Sequence, residues 1–168
     1  MGHPLLRQAA PAVSRFDSAL AELLADMDDT MRSLNGAGIA APQIGVSLRA
    51  VIFEVRENPR YPDVSPIPYT VLINPQLMPV DAELEEGWEG CLSVPGMRGL
   101  VPRFRRLRYR GLDANGAPFE RTVEGFHARV VQHEVDHLDG ILYPQRVQDL
   151  RNFGFEDALA GQMTPMGD

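Results

Sequence analysis

The sequence predicts one soluble globular domain that mixes helices with strands, and three observations carry that reading. An apolar stripe at helical spacing runs through residues 14–34. Six short β-like runs follow between residues 49 and 124, separated by Pro, Gly and Asn-Gly turn signals. A second helical pattern occupies residues 126–139. With 168 residues the chain is long enough to bury one core, so a single domain spanning 1–168 is expected.

Residues 1–13 read as an irregular lead-in, because Pro4 and Pro11 oppose regular structure. Ser14-x-x-Asp17 resembles a capping box. Phe16, Leu20, Leu23, Leu24, Met27, Met31 and Leu34 then share one helical face, with Glu22, Asp26, Asp28 and Asp29 on the other. This is an N-terminal amphipathic helix, stopped by Asn35-Gly36.

The next stretch, GAGIAAPQIG at 36–45, formally satisfies the dinucleotide pattern G-x-G-x-x-A. That pattern has to follow a strand and open a helix, whereas this one follows a helix and meets Pro42, which disfavours a helical Ala41. A nucleotide site is therefore rejected. The stretch reads as a small-residue turn, or as backbone set close to a ligand with Gln43 as its polar handle.

Residues 49–55 form a buried strand, and Pro59, Pro62, Pro66 and Pro68 make 57–68 a loop. Residues 69–74 are a strand halted by Pro75, and 83–88 lead into EGCLSVPG. Residues 98–101, 104–112 and 117–124 are short strands, with Asn115-Gly116 as a hairpin turn. Beyond the second helix, 141–144 is extended, 149–160 is a short helix, and 161–168 is a disordered tail.

Composition removes several function classes. The net charge of −7 argues against a protein built mainly to bind nucleic acid, and six arginines between Arg98 and Arg110 read as one solvated strand face. No run approaches the apolar length of a membrane span, and no signal peptide is expected. All 16 basic residues are arginine, which excludes Schiff-base lysine chemistry and a P-loop. Cys91 stands alone, so an internal disulfide is excluded and a reducing compartment suits the chain.

The chemistry concentrates in the second helix, whose VVQHEVDHLDG contains His133-Glu134-x-x-His137. Side chains four apart on a helix share a face, so two imidazoles can grip one metal ion while the Glu acts as base toward a water beside it. At about 100° per residue, Phe126, Val130, His133 and His137 fall in one sector and Ala128, Val131, Val135 and Leu138 on roughly the opposite side. A helix apolar on two sides is buried on both, so 126–139 is the central helix, with Gly140 as its stop.

Two histidines leave a catalytic zinc-type site one protein ligand short. Position 143, where an extended metzincin pattern would place a third His, is Tyr143. Glu156 has the separation of a gluzincin ligand, Cys91 is the remaining strong donor, and His3 and His127 sit in the lead-in and off the metal face. The residues alone leave Glu156 and Cys91 open. They also leave open a small endopeptidase using Glu156, and a metal-stabilised binding domain without turnover.

Taken together, GAGIAAPQ at 36–43, EGCLS at 89–93 and QHEVDH at 132–137 resemble the three signature motifs of the peptide deformylase family, in that family's order and with similar separations. The resemblance covers about residues 1–150. It implies an α+β fold with mostly antiparallel sheets around the helix that bears H-E-x-x-H. It also implies removal of the N-formyl group from formyl-methionyl nascent peptides, in a bacterial cytoplasm, with an organelle as the second reading.

By the same resemblance Cys91, His133 and His137 are the metal ligands, Glu134 is the catalytic carboxylate, and Gln43 with the Leu92 N–H binds the developing oxyanion. Gly38 and Gly90 become substrate-binding backbone, and Phe126 and Val130 a wall for the methionine side chain. The implied cofactor is one Fe²⁺ per chain, with Ni²⁺, Co²⁺ or Zn²⁺ as substitutes.

Two features depart from the family pattern. The tail NFGFEDALAGQMTPMGD is not a long basic helix, so ribosome contact through such a helix is not expected. Arg129 flanks the metal face where an apolar residue is expected, which predicts a more polar pocket rim.

Overall fold

The computed structural model describes residues 1–56, 65–161 and 163. Of the loop expected at 57–68, residues 57–64 lie outside the described residues, as does most of the tail expected at 161–168. Among the described residues, β1 (Gly38–Ala40), β2 (Ala50–Val55), β3 (Ile67–Pro79), β6 (Arg106–Leu112) and β7 (Pro118–Glu124) form a five-stranded sheet in the order β1-β2-β3-β6-β7. A second sheet, ordered β4-β5-β8, contains β4 (Leu84–Cys91), β5 (Val94–Phe104) and β8 (Phe153–Phe155). Every pairing is antiparallel. The arrangement is α+β, with α1 (Ser18–Ser33), α2 (Gly125–Leu138) and the short α3 (Glu156–Leu159).

The first helix begins later than its sequence suggests. Asp17, expected as the last residue of a capping box, is itself the N-cap and accepts the Leu20 N–H at 3.3 Å. Phe16 consequently lies before the helix and stays exposed, while Leu20, Leu23, Leu24, Met27 and Met31 are buried against Ile39, Ile52 and Ile73. Burying each such side chain is worth about 1.5–3 kcal/mol.

Pro75 does not halt its strand, because β3 runs on to Pro79. The register shifts between Ile73 and Gln76, and Asn74 takes φ 50°, so the missing proline N–H falls at an irregularity in the ladder. Asn74 secures that bend by accepting the Val13 N–H at 2.8 Å and donating to the Val13 carbonyl at 2.9 Å.

The expected break between 101 and 104 is also absent, since β5 continues through Pro102 and ends at Phe104. Further on, 141–144 is not extended: a 3₁₀ turn covers Tyr143–Arg146, and the Gln145 side chain accepts the Leu142 N–H at 2.8 Å. Residues 149–160 are not one helix either. They divide into a 3₁₀ turn, β8 and α3, because 153–155 pair with Met97, Arg98 and Gly99 of β5.

The six arginines do not form a single wet face. Arg105, Arg106, Arg108 and Arg110 are exposed, but Arg103 is buried behind α2.

The second helix packs Ala128, Val131, Val135 and Leu138 into the main cluster with Val51, Phe53, Leu72, Leu107 and Tyr109. Gly140 ends it with φ 72°, and a Cβ there would stand 2.6 Å from the Arg7 backbone, so both conformation and space require glycine. That packing leaves the opposite side of α2 facing the turn between β4 and β5, where the polar cleft lies.

Candidate active site

Sequence-distant elements deliver the polar side chains to one place. Cys91 ends β4, and the next two residues turn into β5. His133 and His137 stand one turn apart on α2. The candidate ligand atoms of Cys91, His133 and His137 all lie within 4.8 Å of one another, and Cys91 Sγ is 3.3 Å from His137 Nε2. A soft sulfur and two imidazoles converging at that spacing fit one divalent transition-metal ion.

Behind the donors, His133 Nδ1 lies 2.8 Å from Glu89 Oε2, which fixes the ring so that Nε2 points into the cleft. Glu89 is in turn gripped by Arg103 through both oxygens at 2.9 Å and by Arg129 at 2.9 Å. Burial opposes ionisation of Glu89, but Arg103 and His133 outweigh it and hold the carboxyl well below the usual range. Burial likewise pushes His133 toward the neutral form, yet its bonds to Cys91 and Glu89 raise its pKa overall. His137 goes the other way, held neutral by burial first and by its cationic neighbours second.

Glu134 is buried, and burial pushes its carboxyl up to about 7, near the optimum for proton transfer at neutral pH. Among the described residues its Oε2 is without a hydrogen-bond partner, as is His137 Nδ1. A Cβ at position 38 would sit 2.6 Å from Glu134 Oε1, so Gly38 is what lets the β1 backbone close on this carboxylate.

Gln43 is pinned at one end by the Ala40 N–H, 2.8 Å from Oε1, leaving Nε2 aimed at Ser93 Oγ (3.1 Å) and Cys91 Sγ (3.6 Å). Leu92, in the turn after Cys91, lines the same cavity of about 370 Å³, together with Gly38, Gly90, Phe126 and Val130.

Every candidate site residue taken from the sequence therefore borders one cavity, apart from His137, which lies behind it on Cys91. Glu156 lines this cavity too, but outside the donor group, bonded to Arg98 at 3.0 Å. Arg129 does not make the rim polar. It is buried, and it is used up on Glu89 and on the carbonyls of Val101 at 2.8 Å and Glu85 at 2.6 Å.

Sequence reasoning missed the support layer of Glu89, Arg103, Asp136 and Ser93. One signal for Arg103 was present: it lies two residues from Val101, hence on the same strand face as a buried side chain. Tyr143, set aside as a ligand, instead stacks on His133 with ring centroids 6.1 Å apart.

Comparison with known proteins gives one consistent result. The sequence profile described as Polypeptide deformylase matches residues 1–153. Peptide deformylase 1 of Nitrosomonas europaea is 64% identical over 160 residues, covering 95% of this chain and 91% of that protein. Peptide deformylase 2 of Bordetella bronchiseptica is 54% identical, covering 100% of this chain and 96% of that protein. Among solved structures, the class I type b peptide deformylase of Acinetobacter baumannii with Met-Ala-Ser bound superposes with a TM-score of 0.84 at 42% identity, covering 88% of this chain and 94% of that one. The Synechococcus elongatus peptide deformylase in complex with actinonin gives a TM-score of 0.81 at 35% identity, covering 97% of this chain and 84% of that one.

Proposed function

The chain belongs to the polypeptide deformylase family, and from that premise we propose that its cleft hydrolyses the formyl amide of N-terminal formyl-methionine on nascent polypeptides, releasing formate. The observation that carries the reading is the meeting of residues 36–43, 89–93 and 132–137 around one cavity, with Cys91, His133 and His137 converging on a point. The Met-Ala-Ser found on the Acinetobacter relative supports a substrate that begins with methionine. One catalytic domain suffices, organised around the α2 helix that carries H-E-x-x-H and buttressed by the amphipathic α1.

Cys91, His133 and His137 would hold one ion per chain, and Fe²⁺ is the ion we assign, with Ni²⁺, Co²⁺ or Zn²⁺ able to substitute. Bound there, such an ion supplies Lewis-acid polarisation of the formyl oxygen and acidification of a water.

The protein's own groups do the rest. Glu134 takes the proton of the attacking water at its unpartnered Oε2 and hands it to the departing amine nitrogen. Water oxygen joins the formyl carbon, the C–N bond breaks, and formate and a free amino terminus leave. Gln43 Nε2 and the Leu92 N–H donate to the oxygen as it becomes anionic, each worth about 10²–10³ in rate. Gly38 and Gly90 let the peptide backbone lie close to the site. Phe126 and Val130 form the apolar wall for methionine, whose flexible thioether fills such a space with little strain.

We place the protein in the cytoplasm. Among the described residues no helix is long and apolar enough to cross a membrane. We expect no sequence-specific nucleic-acid binding, and any ribosome contact is made without a basic C-terminal helix.

The test is formate release from a formyl-Met peptide with metal analysis of the same sample. One ion per chain with formate release, and inert acetyl-Met and unformylated peptides, is the expected result. A loaded protein that releases no formate would leave only a metal-stabilised binding domain. Cys91→Ser should lose the ion, since a hydroxyl is a poor stand-in for thiolate, whereas Glu156→Gln should keep it. The reverse pattern would return the third ligand to Glu156.

A further inference from the structure

Ser93 is not among the residues that line the catalytic cavity, yet it touches two groups that flank the reacting position. Its N–H donates to Cys91 Sγ at 3.4 Å, and its Oγ lies 3.1 Å from Gln43 Nε2.

The direction of the Gln43 amide follows from the groups around it. A 3₁₀ turn over Ala41–Ile44 begins directly after β1, and the Gln43 side chain caps it at Ala40. The Ala40 N–H can only donate, so the amide end that it meets at 2.8 Å is the acceptor Oε1. Nε2 is then the opposite end, a donor with two hydrogens and no lone pair to offer. It has two acceptors to serve, Ser93 Oγ at 3.1 Å and Cys91 Sγ at 3.6 Å.

These two bonds differ in strength and in place. Sulfur is a weak acceptor, and at 3.6 Å an oxygen turning anionic in the cavity readily displaces it. The bond to Ser93 is shorter and lies off the cavity lining, so a bound peptide leaves it intact. It also does what the Ala40 bond cannot. The terminal torsion of a glutamine is broad, and an amide held only at Oε1 can swing its nitrogen. The same Pro-Gln capping recurs where Gln145 accepts the Leu142 N–H at 2.8 Å, so capping alone explains one end of such a glutamine and not the other.

We propose that Ser93 is a positioning residue: by accepting one hydrogen of Gln43 Nε2 it holds the other toward the formyl oxygen as that oxygen becomes anionic. A donor fixed at both ends needs no reorganisation when the charge develops. This inference rests on the deformylase reading.

The experiment is a double-mutant cycle on metal-loaded protein with formyl-Met-Ala-Ser as substrate. S93A should lower kcat about tenfold, part of the 10²–10³ that the whole donor is worth, with KM and metal content little changed. S93T keeps the hydroxyl and should recover most of the loss. In the Q43A background S93A should cost almost nothing more, since the group it positions is gone. A second readout needs neither metal nor turnover. The Gln43 side-chain NH₂ signal in ¹⁵N NMR of the metal-free protein, assigned by its absence from Q43A, should shift and gain mobility in S93A. An unchanged kcat in S93A overturns the proposal. So do losses that multiply in Q43A/S93A, because Ser93 would then act through Cys91 or the turn rather than through Gln43. Wild-type protein that releases no formate would instead remove the deformylase reading, and this inference with it.

Discussion

Two sets of polar side chains on α2 have opposite fates. Toward the β4-β5-β8 sheet, Gln132 donates to the Phe104 carbonyl at 2.9 Å and accepts its N–H at 3.1 Å. Asp136 is shared between Arg103 and Arg146, and Arg129 is spent on Glu89 and backbone carbonyls. Toward the cleft, Glu134 Oε2 has no hydrogen-bond partner among the described residues, and His137 turns its Nε2 to Cys91 Sγ. Both sets are buried. A buried polar atom left unsatisfied costs about 1–3 kcal/mol, so one side of the helix stabilises the scaffold and the other holds groups in reserve for substrate and ion. The same helix thus separates stability from chemistry by whether its polar atoms are already paired.

The largest effect should come from the unpaired side. Glu134→Gln should lower kcat by about 10²–10⁴ or more while metal content and fold persist, because the variant loses a base but breaks no existing bond. Its urea midpoint should equal or exceed the parent's. Near-normal turnover would show that the open oxygen is not the proton acceptor.

On the paired side the sign of the effect reverses, with stability lost before chemistry. Arg103→Met takes one of the two arginines from each of the buried acids Glu89 and Asp136, leaving Arg129 and Arg146 behind, so the loss should fall short of the about 3–5 kcal/mol of a fully broken buried pair. Glu89 also orients His133, so metal affinity should drop by about 10–100-fold. Denaturant unfolding and metal titration check both. A variant as stable as the parent would mean that the network is not what clamps the sheet to the helix.

A milder break is Gln132→Leu, which leaves the Phe104 amide and carbonyl without their side-chain partner, for about 1–3 kcal/mol. Its kcat should stay near that of the parent, and a selective loss of turnover would contradict the division of labour.

How much of this was legible follows the same division. The two faces of α2 could be read from H-E-x-x-H and from the spacing of Val131, Val135 and Leu138, because helical periodicity is local. Cys91 could not be chosen over Glu156 from the residues alone, since strand register rather than spacing brings it to the histidines. The path of β3 through Pro75 depends on a bulge and on Asn74 binding Val13, a partner remote in sequence. The three residues of β8 have no pattern long enough to declare a strand, and only β5 makes them one. Arg103 was read as solvated because a charged residue is exposed by default. What overrides the default is a pair of acids from β4 and α2.

The smallest effect concerns a third histidine on the same helix, one that belongs to neither polar set. His127 is wedged between Phe53 and Tyr109, with centroid distances of 5.7 Å and 6.0 Å, and its Nε2 lies 3.4 Å from the Tyr109 hydroxyl. Burial, with Arg121 as a lesser contributor, pushes its pKa down to about 4 from the usual 6.5. The folded protein therefore keeps this ring neutral over a range where the unfolded chain would protonate it. Stability contributed by the neutral ring is complete above about pH 6.5 and shrinks as pH falls toward about 4, where the folded form protonates too. The ring is only partly buried, so solvent screening cuts the effect to about 1 kcal/mol between pH 7 and pH 5. Carboxylates elsewhere add their own acid sensitivity, and the readout is therefore a difference between two proteins. His127→Phe keeps an aromatic ring among Phe53 and Tyr109 and removes the titration, so its urea-derived stability should fall by about 1 kcal/mol less than the parent's from pH 7 to pH 5. Parallel losses in the two proteins would mean that water reaches the His127 ring freely. In that case burial alone, without bound substrate or metal, would not be enough to silence a histidine on this helix.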